Sequence, residues 1–115
     1  TYTCPDACTQ RILSIKARLV TAVAAANRVA GINADDGTNM FFGTRQRTLH
    51  TASLTWDYFF SAAPHNECFG AYAMTPIPNY LKLRQNYHIN SVVENMQAAD
   101  QWSSIYLCVE EWITH

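Results

Sequence analysis

Apolar residues follow a helical period in two parts of the chain. Between Thr9 and about Ala30 they recur every three or four positions, which is typical of one face of a helix. The capping box Ser91–Glu94 predicts a second helix that continues to about Gln101. The segment that follows the first of these helices, 31–47, is rich in glycine, asparagine and aspartate at its start, and this composition is typical of a loop.

Four other segments have the pattern of strands. Residues 51–60 have one apolar and one polar face at period two, and Glu67–Met74 and Leu81–Arg84 are further short strands. Ile105–Ile113 is apolar on both faces apart from its two glutamates, as in a central strand. The order helix, three strands, helix, strand predicts an α+β fold: a two-layer α/β sandwich in which an antiparallel sheet of about four strands carries two helices on one face. Residues 1–115 are predicted to form a single domain.

Composition excludes several classes of protein. The chain of 115 residues is 49% hydrophobic and only 15% charged, which excludes intrinsic disorder and a coiled coil. Its formal net charge is −1, and no segment has the density of basic residues that nucleic-acid binding needs. Three cations within Ile12–Ile32 make that most apolar stretch a poor membrane span.

The cysteines predict an oxidising compartment. Cys4, Cys8, Cys68 and Cys108 lie in a short chain that starts at Thr1, and we interpret this as a secreted, extracellular, disulfide-stabilised protein. Disulfides from the N-terminal pair to Cys68 and Cys108 would close long loops and stabilise the fold most, whereas a bond from Cys4 to Cys8 would close a very short one. Both long-range pairings remain open. The spacing is poor for zinc, so no metal or other cofactor is predicted.

One segment stands out as a contact surface. Met40, Phe41 and Phe42 lie between two glycines and close to Arg45 and Arg47. An apolar tip flanked by cations is suited to contact with a lipid membrane or a partner. The alternative is a short, buried edge strand.

Candidate chemistry is sparse elsewhere. The sequence contains none of the usual catalytic motifs, so no catalytic residue is assigned and a non-enzymatic protein is favoured. A small secreted hydrolase that pairs His50 or His88 with a carboxylate is the alternative. Trp112, near the end of the chain, is the tryptophan expected to be exposed for recognition, because aromatic faces stack on glycans.

The order of elements resembles that of a known family. The layout consists of two N-terminal cysteines and a helix, a segment Glu67–Gly70 that contains Cys-Phe-Gly, a helix at 90–101 and a last strand with Cys108. This layout is similar to that of the fungal secreted necrosis-inducing effector domain and of killer-toxin-like α/β sandwiches. The resemblance implies a secreted, non-enzymatic protein that acts on a target cell, and it carries over no functional residue.

Taken together, the sequence predicts an effector-like or toxin-like protein that binds a target-cell surface component or a membrane lipid. A glycan-binding module, with homo-oligomerisation, is the third hypothesis. Nucleic acid is not an expected partner.

Overall fold

The computed structural model describes residues 1–62 and 66–113, and this part of the chain contains strands but no helix. The predicted α+β sandwich is therefore wrong, and the protein is an all-β sandwich. The strands are β1 Tyr2–Thr3, β2 Cys8–Val20, β3 Val29–Asp35, β4 Met40–Arg45, β5 Thr55–Ser61, β6 Glu67–Phe69, β7 Tyr72–Pro76, β8 Lys82–Leu83, β9 His88–Glu94 and β10 Gln101–Ile113.

The strands form two sheets. The small sheet has the order β1-β9-β3-β4, and the large sheet has the order β10-β2-β5-β7-β6, with β8 beside the first part of β2. All pairs are antiparallel except β5 with β7. The predicted second layer of helices is thus replaced by a second sheet. Its inner face buries Ala30, Ile32, Ala34 and Ile89 against Leu19, Tyr58, Phe60 and Ala73 of the large sheet.

The first predicted helix is a strand because a β-bulge imitates a helical period. In β2, Ser14 pairs with Cys108 and Ile12 with Val109, which leaves Leu13 as an extra residue. The two inward residues Ile12 and Ile15 are therefore three positions apart, although Ile15, Ala17 and Leu19 follow at the normal strand period of two. Spacings of three and four between large apolar residues then look helical in the sequence.

The second predicted helix is wrong for a different reason. The capping box Ser91–Glu94 lies inside β9, whose seven residues all pair with β3. Cross-strand pairing satisfies the backbone there, and the β-branched Val92 and Val93 fit a strand well. Asn95, with a φ of 59°, ends the strand.

The predicted strands follow the sequence pattern more closely, whereas the predicted loop 31–47 contains most of β3 and all of β4. Strands occur at 55–61, 82–83 and 101–113, as predicted in type, while the predicted strand at 67–74 is two strands joined by a turn at Gly70, whose φ is 55°. The last strand, β10, lies at the edge of its sheet rather than in the centre, which is why Ile105 is 62% and Ile113 72% exposed.

The predicted disulfides are also wrong. All four cysteines lie in the described residues, and each is a free thiol. Cys8 pairs with Ile113, five residues from Cys108 along β10. At about 3.3 Å per residue that is roughly 16 Å, well beyond the Cα distance that a disulfide spans. Cys68 lies on β6, separated from β2 by β5 and β7, so it does not reach Cys8 either.

A buried ion pair joins two of the loops that cross between the sheets at one end of the sandwich. Arg28 Nε lies 2.9 Å from Asp100 Oδ2, and neither side chain is exposed to solvent. The Asp100 carboxylate also accepts hydrogen bonds from the backbone N–H groups of Ala22 and Gln97, at 2.7 and 2.8 Å. The Arg28 hydrogen bonds lower the pKa of Asp100 to about 2, so the pair stays charged above that pH.

We expect the substitution Asp100→Asn to destabilise the fold by about 3–5 kcal/mol, because it leaves the Arg28 guanidinium buried without a counter-charge. Urea unfolding followed by far-UV circular dichroism measures this loss. The matched control is Asp57→Asn, which removes the partner of the more exposed Arg18 and should cost less than about 1 kcal/mol. Equal losses in the two variants would show that the buried pair has no special role.

Candidate functional site

The predicted contact segment forms part of an edge strand. Met40 and Phe41 are 62% and 48% exposed at the start of β4, whereas Phe42 packs against the core. The Phe41 ring lies 5.7 Å from the Tyr87 ring. Met40 and Phe41 therefore fit the prediction of an exposed apolar tip, whereas Phe42 fits the alternative of a buried edge strand.

The two arginines of this segment differ, because Arg45 is held by polar partners and Arg47 is exposed. Arg45 Nη1 donates to Asn33 Oδ1 at 2.9 Å, and its Nε lies 3.9 Å from a Glu94 carboxylate oxygen. Arg47 is exposed at the end of the segment. The turn that precedes Met40 carries the acidic residue Asp36. The backbone N–H groups of Thr38 and Asn39 donate hydrogen bonds to the Asp36 carboxylate, and these bonds lower the pKa of Asp36.

A second surface, on the outside of the large sheet, collects more aromatic side chains. Because side chains alternate across a strand, the residues between the buried ones in β2, β5 and β7 all point outward. We define the aromatic face as this outer group, which runs across five strands: Tyr106 on β10, Lys16 on β2, Phe59 on β5, Tyr72 on β7 and Phe69 on β6.

The members of the aromatic face are in mutual contact and accessible. Lys16 Nζ lies 5.6 Å from the centre of the Tyr106 ring and 5.9 Å from that of Phe59, whose ring is 6.0 Å from Tyr72. Tyr106 is 64% exposed, Phe69 58% and Tyr72 54%. The lysine ammonium contacts one ring on each side, so it links Tyr106 to Phe59 across β2.

Charged pairs lie beside the aromatic face. Arg18 Nε donates to Asp57 Oδ1 at 3.0 Å, and Arg11 Nη2 lies 3.0 Å from Glu110 Oε2. The Arg18 hydrogen bond lowers the pKa of Asp57 and keeps the carboxylate ionised. These pairs balance the charge of both arginines while leaving further N–H donors and carboxylate lone pairs open to a polar ligand.

Trp112 lies on this same outer surface. It is 41% exposed on β10, and Lys82 Nζ lies 5.5 Å from its ring. The structure therefore brings Trp112 onto the sheet that carries the aromatic face but not close to Met40 and Phe41, which lie on the small sheet.

Sequence reasoning missed most of the aromatic face. Phe59 carried a signal, because it stands among polar residues on the polar side of a clearly predicted strand. Lys16 carried none, since its position on a face became visible only once β2 was known to be a strand. Tyr72 and Tyr106 come together with Phe59 through sheet order, which the sequence does not show.

One histidine has a carboxylate partner. His88 Nδ1 lies 2.9 Å from Asp35 Oδ1, and Asp35 also accepts a hydrogen bond from Asn90. The His88 hydrogen bond lowers the pKa of Asp35. The pair is located on the small sheet, and neither residue lines the cavity between the sheets or the groove beside Cys8 and Lys82. This arrangement gives the hydrolase hypothesis little support.

His50 is a buried core residue with both ring nitrogens in hydrogen-bond contact. It is fully buried between the Tyr58 hydroxyl, 2.9 Å from Nδ1, and the Leu54 carbonyl, 3.0 Å from Nε2. Burial lowers the pKa of His50 and keeps the ring neutral. The remaining two histidines, at positions 65 and 115, lie outside the described residues.

No family model, curated protein or solved structure matches the chain. Among the described residues there is no group of three His, Cys, Asp or Glu side chains placed to hold a metal ion. The same residues include no helix that is long and apolar enough to cross a membrane.

We expect stability to fall as the pH drops below about 6.5, because the unfolded state then protonates His50 while the folded state resists it. The slope contributed by one such proton reaches about 1.4 kcal/mol per pH unit. Urea unfolding between pH 7.5 and 5.5 measures it. His50→Gln should remove this part of the slope and His88→Gln should not; a slope that survives in His50→Gln would assign it to another group.

Proposed function

We propose that the protein is a non-enzymatic binding module whose aromatic face attaches it to an uncharged glycan on a cell surface. The observation that carries this proposal is the row of exposed rings on the outer face of the large sheet. Tyr72 and Tyr106 are more than half exposed although they lie within regular strands. Soluble proteins bury most of their large rings, so a contiguous exposed group on a rigid sheet favours a binding role.

The geometry suits a sugar chain. Neighbouring strands lie about 4.8 Å apart, so the three spacings from β10 to β7 spread the rings over roughly 14 Å. Aromatic faces stack on the apolar faces of sugar rings. Beside the rings, Arg18 and Asp57 offer a fixed donor and a fixed acceptor to hydroxyl groups.

The charges favour an uncharged ligand over a polyanion. Arg18 and Arg11 are each paired with a carboxylate, and Lys16 lies between two rings. A polyanion such as nucleic acid would need several uncompensated cations along its path. Secretion, effector-like action and homo-oligomerisation remain predictions of the sequence analysis, and an extracellular location would place this face where cell-surface glycans occur.

The experiment is a glycan-array screen of the purified protein, followed by calorimetric titration with the strongest ligand. Tyr106→Ala and Tyr72→Ala should each weaken binding about tenfold or more, because each removes one stacking ring. Tyr106→Phe should retain most of the affinity. The matched control is Tyr80→Ala, which removes a tyrosine that is 73% exposed but lies outside the aromatic face.

Two outcomes would contradict the proposal. One is the absence of any glycan ligand, and the other is binding that the variants of the aromatic face leave unchanged. Anionic and neutral liposomes distinguish the membrane hypothesis in the same series. Binding to liposomes that Phe41→Ser abolishes, and that Tyr106→Ala does not affect, would place the contact at the exposed start of β4 instead.

A further inference from the structure

A cavity of about 260 Å³ lies between the two sheets, on the side where β10 faces β1 and β9. Its floor consists of buried apolar side chains, among them Ala17, Ile32 and Phe60. Its mouth is marked by exposed residues, of which Ile105 and Ser91 lie on opposite sheets. The cavity is therefore an internal space with access from solvent.

The space exists because of a bulge opposite a small residue. Ser103 pairs with Arg18 and Tyr106 with Lys16, so both Ser104 and Ile105 stand opposite Ala17. Ser104 has a φ of 51°, a conformation that non-glycine residues adopt rarely, and the bulge turns the strand at this point. Ala17 is the one small side chain in the inward row of β2, so nothing on that strand fills the gap.

The lining is suited to an uncharged apolar molecule. No Asp, Glu, His, Lys or Arg side chain is among those that line the cavity: Thr1, Tyr2, Ile15, Ala17, Ile32, Phe60, Ile89, Ser91, Trp102, Ile105 and Leu107. The hydroxyls of Tyr2 and Thr1 already donate to Gln10 and Asn90, at 2.6 and 2.7 Å. Apolar cavities of about 150 Å³ stay dry and bind benzene, whereas sites for drug-sized ligands start at about 300 Å³.

We propose that this cavity is a binding site for a small uncharged lipophile, of about ten to fifteen non-hydrogen atoms, such as a medium-length alkyl chain with a hydroxyl head. The chain lies against Phe60 and Ala17, and the head lies at the mouth beside Ser91. This site faces inward from the large sheet and is distinct from the aromatic face, so it does not depend on the proposed glycan binding.

The experiment titrates the protein with straight-chain alcohols from hexanol to dodecanol and follows methyl signals by NMR. The methyl groups of Ile15, Ile32, Ile89 and Leu107 should shift, while those of Val20 and Val23, which lie outside the cavity, should not. Affinity should rise about fourfold per added methylene until the cavity is full and then level off.

Variants test the location of the bound alcohol. Ala17→Leu fills the floor and should weaken binding of octanol about tenfold or more. Ser91→Trp closes the mouth of the cavity from the small sheet and should weaken octanol binding in the same way. It provides the test if Ala17→Leu fails to fold. Tyr106→Ala is the matched control on the aromatic face and should leave octanol binding unchanged.

Methyl groups that do not shift at all would overturn the proposal. So would an octanol affinity that Ser91→Trp and a folded Ala17→Leu both leave unchanged, or one that Tyr106→Ala abolishes, since the alcohol would then bind elsewhere. Glycan binding by the same variants separates the two proposals: Ala17→Leu should retain it, and Tyr106→Ala should lose it.

Discussion

The buried pair of Arg28 and Asp100 is the interaction on which the two-sheet arrangement depends. The chain crosses between the sheets several times, from the large sheet to the small one between β2 and β3, and from the small sheet back to the large one between β9 and β10. Arg28 belongs to the β2–β3 crossing and Asp100 to the β9–β10 crossing, and their side chains also satisfy backbone groups of both loops. Separating two charges that have no access to water is costly, so the pair favours the arrangement in which these two loops meet.

With the sheets fixed, strand alternation decides what the large sheet offers to each side. Ala17 and Phe60 point into the sandwich, while Lys16 and Phe59, their neighbours in sequence, point out. The inner set leaves a small apolar cavity, and the outer set forms the aromatic face. The same two strands therefore supply both candidate sites, with opposite chemistry, and a substitution on one face need not affect the other.

The two errors about secondary structure have physical causes that are visible in particular residues. The extra residue Leu13 shifts the alternation of β2 by one position, so Ile12, Ile15 and Leu19 acquire helical spacings. Ser91–Glu94 matches a helix cap only while the partner strand is ignored, because pairing with β3 stabilises the strand by tertiary contacts that local propensity does not contain. The disulfide prediction failed similarly, since it depended on which strands are neighbours.

The sequence by itself determined the local features of this protein. It set the alternation at 55–58, the turn residues of the β3–β4 hairpin, the weak net charge and the absence of catalytic motifs. Only the tertiary structure decided the order of strands, and with it the meeting of Tyr106, Lys16 and Phe59, the pairing of Arg28 with Asp100 and the separation of the cysteines. The reason is that sheet neighbours come from distant parts of the chain, so their contacts follow from the collective packing of both sheets and not from any local pattern.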